Sequence, residues 1–95
     1  MKVYDPEFEI RNRLVNQTSP IKNENDLRDL QATIIRIGRD VLSDYKTEQS
    51  KSLSEENYNT ALKNTVNAVA NILIDKGCYL DIQDSEIQKR IEYTN

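Results

Sequence analysis

Histidine is absent from this 95-residue chain, and cysteine occurs once. The first absence removes the side chain that titrates nearest neutral pH and the commonest metal ligand, so zinc chemistry and histidine-based acid–base catalysis are excluded. The second rules out an internal disulfide. Cys78 stands beside Gly77 rather than in a paired-cysteine arrangement, so it reads as a small apolar filler in a reducing compartment. A signal-peptide core is also missing from the start MKVYDPEFEI, and no run approaches the roughly 18 apolar residues of a membrane-spanning helix. A cytoplasmic protein without membrane contact is expected. Positive charge is short as well: thirteen bases face sixteen acids, a net charge of -3. Duplex DNA binding needs a broad positive surface and is not expected, whereas a local arginine cluster can still hold a small anion.

Apolar residues make up 37% of the chain, enough leucine, isoleucine and valine to order a single domain. A domain this short buries only somewhat more than about 60% of its unfolded surface, so its stability margin is thin. The most informative segment is NTVNAVANILI, eleven uncharged residues between Lys63 and Asp75 in a chain that is 31% charged. Such a run predicts burial on more than one side.

Four helices are predicted. Asp5 can cap the first, with Pro6 in its opening turn and Glu7 and Glu9 near the positive end of the dipole. Glu7 with Arg11 and Glu9 with Arg13 form i,i+4 pairs, and Phe8, Leu14 and Val15 are expected to face inward. A short strand through Phe8 and Ile10 is the alternative, but it lacks a partner strand. NQTSPIKN is a linker, since Pro20 drives Ser19 toward extended backbone. The second helix is expected over about Asn25–Thr47. Its seam is Leu27, Leu30, Ile34, Ile37, Val41 and Tyr45, broadened by Ile35 and Leu42. Gly38 inside it costs about 1 kcal/mol against alanine, which close approach of a neighbouring backbone or of a ligand would offset, with helix packing the favoured reading.

KTEQSKS connects to the third helix, for which Ser52 and Glu55 have capping-box spacing and Gly77 is the expected C-terminal stop. The predicted helix, about Leu53–Lys76, carries two apolar stripes: Tyr58, Leu62, Val66, Val69 and Leu73, and beside them Ala61, Ala68 and Ile72. Asp84 or Ser85 can cap a short last helix in which Ile87 and Ile91 share a face, with Lys89 and Arg90 toward its negative end. The expected fold is all-α: a long antiparallel helical hairpin over 23–77, an N-terminal helix and linker over 1–22, and a short C-terminal helix over 78–95. With only two short helices left to cover both stripes of the third, the chain is expected to be a homo-oligomer.

No catalytic constellation accompanies these helices, and three polar features are candidates for binding. Arg28, Arg36 and Arg39 share one side of the second helix and could fork onto phosphate or carboxylate. Asp29, Asp40 and Asp44 are interleaved with them, so a solvated face of internal pairs is the other reading. Thr60, Asn64, Asn67 and Asn71 form an uncharged stripe that can read base edges, cross-link helices, or simply face water. The aromatic set Tyr4, Phe8, Tyr45, Tyr58, Tyr79 and Tyr93 could stack a nucleobase or pack in the core. Tyr4 and Phe8 stand out, because a short tethered N-terminal helix could close over a ligand.

Two segments, TIIRIGRDVL in the second helix and YNTALKNTVNAVA in the third, resemble the helical hairpin of small phage proteins that sequester cyclic nucleotide signals and so silence bacterial CBASS or Thoeris immunity. The resemblance spans residues 33–42 and 58–70. It implies a non-enzymatic sponge, needing no cofactor or metal, that gathers several hairpins and binds cyclic di- or trinucleotides or cyclic ADP-ribose isomers between subunits in the host cytoplasm. The chain lacks that family's N-terminal tyrosine motif ahead of the first hairpin helix, and Ile35 stands where a basic residue is expected. Candidate contacts are therefore chosen by their chemistry: Tyr4, Phe8, Arg11, Arg36, Arg39, Asn64 and Asn67. The alternative function is a protein-interaction module, an inhibitor or adaptor of a host or partner protein, that docks through the apolar third helix. A DNA-binding helix-turn-helix fails on charge and on the length of the connection between the long helices.

Overall fold

The computed structural model describes residues 3–17, 19–48 and 54–92, and all regular structure among them is helical. Helix α1 spans Pro6–Leu14 and continues into a 3-10 turn at Val15–Gln17; α2 spans Glu24–Glu48, α3 Glu55–Asp75 and α4 Asp84–Glu92. Each of α1, α3 and α4 packs on α2, and both short helices also pack on α3.

The helix ends follow from their caps. Asp5 accepts from the Phe8 N–H with Pro6 as the first helical residue, as expected. For α2, Asn23 accepts from the Asp26 N–H at 3.0 Å, and Asp26 in turn accepts from the Lys22 N–H at 2.8 Å. The cap of α3 is Ser54, which accepts from the Asn57 N–H; the expected cap Ser52 lies outside the described residues. At the other end Gly77 takes φ +72°, the Cys78 N–H reaches the Leu73 carbonyl at 2.9 Å, and the Gly77 N–H reaches that of Ile74 at 3.1 Å. This is a Schellman closure, which requires a left-handed residue at that position. Helix α4 departs from expectation. The Gln83 carbonyl, outside the helix, receives its first N–H groups, while the Asp84 carboxylate accepts the Tyr79 hydroxyl at 2.7 Å instead of capping.

The core joins all four helices. The predicted seam of α2 is realised in the buried Ile34, Ile37 and Val41 with Ile35 and Leu42, while Leu27, Leu30 and Tyr45 are half-buried at its margins. Ile87 and Ile91 of α4 are fully buried. Gly38 meets α3 closely: a Cβ there would sit 2.5 Å from Val69 Cγ2, so the glycine serves helix packing. In α1 the buried line is Pro6, Ile10 and Leu14, spaced by four residues. Phe8 and Val15, expected inside, project to solvent at 59% and 71% exposure. They lie across the helix from that line, and α1 has one buried edge rather than a broad apolar face.

Both apolar stripes of α3 are covered within the single chain. Leu62, Val66, Val69, Leu73, Ala61, Ala68 and Ile72 are all buried, Tyr58 is half-buried, and only Asn64, Asn67, Asn71 and Ile74 of the uncharged run reach solvent. The expected multi-sided burial is present, but α1, α2 and α4 supply it. The premise that short terminal helices leave these stripes open is thereby overturned, and with it that ground for an oligomer.

Between α2 and α3 the contacts run from Lys46, whose ammonium lies 5.1 Å from the centre of the Tyr58 ring, through Gly38 against Val69. They end at Gln31. This buried amide donates to the Cys78 carbonyl at 3.0 Å and to the Leu80 carbonyl at 2.8 Å, pinning the connection that leads into α4. Asp81 in the same connection holds φ +53° and meets Arg28 at 2.7 Å.

Candidate functional site

The arginines divide sharply by partner. Arg11 is held by Glu7 at 3.2 Å, the expected helical pair, and by Asp75 of α3 at 3.0 Å. Arg13 ignores its expected partner Glu9 and pairs with Asp44 of α2 at 2.7 Å, because a carboxylate on the neighbouring helix is closer than the one on its own. Arg28 bonds Glu24 at 3.1 Å and Asp81 at 2.7 Å. Donating to these carboxylates stabilises the protonated forms of Arg11, chiefly through Asp75, and of Arg28, chiefly through Asp81. Arg36 and Arg39 differ. Among the described residues Arg36 bonds the neutral Gln17 side chain, at 2.9 Å, and Arg39 stands 4.0 Å from its sequence neighbour Asp40.

Arg36 and Arg39 open onto a groove between α2 and α4 of about 570 Å³, whose far wall carries Lys89 and Arg90. Its floor is Ala32, Thr33 and Ile35, and among the described residues no carboxylate lines it. Local sequence explains the arrangement. On α2 the inner arc is taken by Ile34, Ile37 and Gly38, which turns Arg36 outward and leaves Arg39 partly exposed. On α4 the buried Ile87 and Ile91 dock the helix on the core, with Arg90 beside that line and the exposed Lys89 farther round, and both side chains line the groove. The last turn of α4 favours cations. Four positive groups over a partly apolar floor can grip an anion by forked and charge-assisted hydrogen bonds.

The aromatic candidates lie elsewhere. Tyr4 stacks on Tyr45 with ring centroids 4.2 Å apart and planes at 25°. Its hydroxyl meets Thr65 Oγ1 at 2.7 Å; since the Thr65 hydroxyl donates to the Ala61 carbonyl, Tyr4 acts as donor. Burial raises the Tyr4 phenol to about 12. Tyr4 thus ties the N-terminal segment to α2 and α3. Phe8 and Val3 border a second groove of about 250 Å³ between α1 and α2, rimmed by Asp5, Glu9, Asp44 and Glu48, with Arg13 its sole lining cation among the described residues. Four carboxylates repel phosphate. Asn64 and Asn67 face solvent on α3 and line neither groove.

No protein family, curated protein or solved structure matches this chain.

Of the seven candidate contacts, the structure brings together Arg36 and Arg39 in one groove and Tyr4 and Phe8 in another, engages Arg11 in ion pairs, and leaves Asn64 and Asn67 apart. Lys89 and Arg90 complete the cationic groove and were missed as contacts. Arg90, one position before Ile91, flanks the docking line and was the available signal; Lys89, midway between Ile87 and Ile91, lies across the helix from that line and left none. Among the described residues no cluster of acidic or cysteine side chains could hold a metal, and no helix is long and apolar enough to cross a membrane.

Proposed function

We propose that this protein is a non-catalytic binder of a phosphorylated small molecule, held in the α2–α4 groove by Arg36, Arg39, Lys89 and Arg90. The specific reading is a phage-type sponge for cyclic nucleotide second messengers, built on α2 and α3 as an antiparallel hairpin. The observation that carries it is the division of the cations. Arg11, Arg13 and Arg28 are each matched by carboxylates on other elements, whereas the four groove cations face one another across a cavity that has no acidic lining residue among the described residues. Concentrated positive potential of this kind attracts anions. The cavity lining offers no acid–base pair, which favours capture over turnover.

The test is thermal unfolding against cyclic di- and trinucleotides and cyclic ADP-ribose isomers. A ligand at a hundred times its dissociation constant adds about 2.7 kcal/mol to stability, should be recovered unchanged, and should lose its effect in the Arg36→Glu/Arg39→Glu protein. No shift across the panel retires the nucleotide reading. A second reading, a protein-interaction module, moves from the third helix, whose stripes are buried, to the α1–α2 groove, where exposed Phe8 and Val3 sit among carboxylates suited to a basic partner.

A further inference from the structure

The grooves on either side of α2 are complementary to each other. At about 3.6 residues per turn, Val41, Asp44, Tyr45 and Glu48 leave α2 on one side, and Ala32, Ile35, Arg36 and Arg39 leave it on the roughly opposite side. The α1–α2 groove sets Asp5, Glu9, Asp44 and Glu48 around Phe8, which is 59% exposed; Arg13 and Asp44 answer each other, which leaves Asp5, Glu9 and Glu48 as the acidic rim. The α2–α4 groove sets four cations around Ile35. An exposed phenylalanine beside a stacked tyrosine pair is surface that association would cover, and the acidic rim demands a cationic cover.

We infer that the cover is a second copy of this chain, whose Arg36, Arg39, Lys89 and Arg90 on the rim of the α2–α4 groove meet the acidic rim of the α1–α2 groove of its neighbour. The two surfaces differ and point in opposite directions, so the contact is heterologous. Copies add head to tail instead of closing as a two-fold pair. The contact does not depend on the nucleotide reading, although a phosphorylated ligand and the neighbour's carboxylates would compete for the same four cations.

Sedimentation equilibrium of the full chain without ligand tests it, from micromolar to millimolar concentration, in low and in high salt. In low salt the average mass should climb above the 11.0 kDa of one chain as concentration rises. High salt should return it toward that value, because screening shortens the reach of charge to about 3 Å at 1 M. The Glu9→Lys/Glu48→Lys and Arg36→Glu/Arg39→Glu proteins should each stay monomeric alone, with helical circular dichroism retained, and should associate when mixed. A wild-type mass fixed at 11.0 kDa throughout the low-salt series overturns the inference. Association that persists in both variants, or a mixture that stays monomeric, overturns it equally.

Discussion

The two sides of α2 hold their neighbouring helices by different means. On the α1 side, charges and aromatic groups work as cross-links: Arg13 meets Asp44, Arg11 reaches Asp75, and Tyr4 stacks on Tyr45 while bonding Thr65. On the α4 side, fully buried Ile87 and Ile91 and the Gln31 amide do the holding, and the cations on the rim take no part. An arginine that secures one helix to another has its charge answered. One that stands beside an apolar dock keeps its charge for something else. Residue type is the same on both sides, and the location of the nearest carboxylate separates structure from site.

The largest expected effects come from the two apolar docks. Ile91→Ala and Ile10→Ala each remove a fully buried side chain and should cost about 2–5 kcal/mol in denaturant unfolding. They should part company in anion binding. Loosening α4 displaces Lys89 and Arg90 and weakens the cationic groove, whereas the α1 variant, measured at a temperature where it remains folded, should bind as the parent does. Equal binding losses in the two would break the comparison. Next in size is Gln31→Leu. It strips two carbonyls of the α3–α4 connection of their donor, for an expected cost of about 1–3 kcal/mol. Amide exchange should accelerate in residues 78–92 more than in α1.

Much of this architecture was legible in the chain. Helix number, the α2 limits to within a residue, the role of Gly77 and both stripes of α3 follow from periodicity and capping chemistry, which are local. The misreadings are tertiary. Phe8 and Val15 were placed inside because they are apolar, but α1 meets its neighbours along Pro6, Ile10 and Leu14, and only the packed geometry decides which edge of a short helix is covered. Arg13 turned from Glu9 to Asp44 for the same reason, since a cross-helix partner thirty-one positions away leaves no mark at i,i+4 spacing. The half of the cationic groove on α4 was hidden likewise. Lys89 and Arg90 looked like dipole-compensating residues until α4 was laid against Arg36 and Arg39. Whether a polar residue is spent on structure depends on distant contacts, so the site was less legible than the fold.

The smallest effect sharpens the comparison from the α1 side. Tyr4→Phe deletes one hydrogen bond while keeping the stacked ring, and Thr65 retains its own acceptor at Ala61, so the loss at neutral pH should be about 1 kcal/mol. Alkaline titration then isolates the tyrosine. Burial raises its phenol from the ordinary 10.0 to about 12, so between those values the unfolded chain gives up the proton while the folded chain keeps it. The protonated phenol therefore contributes stability that is complete below pH 10 and is lost as pH climbs toward 12. Wild type should lose stability across that window more steeply than Tyr4→Phe, and the gap between the two proteins should narrow. Tyr58 and Tyr79 are also raised, by burial and by Asp84 respectively, but they are common to both proteins and cancel in the difference. Parallel pH profiles for the two would mean that the Tyr4 hydroxyl is open to water, and that the α1 side is held by its apolar edge and ion pairs without the aromatic cross-link.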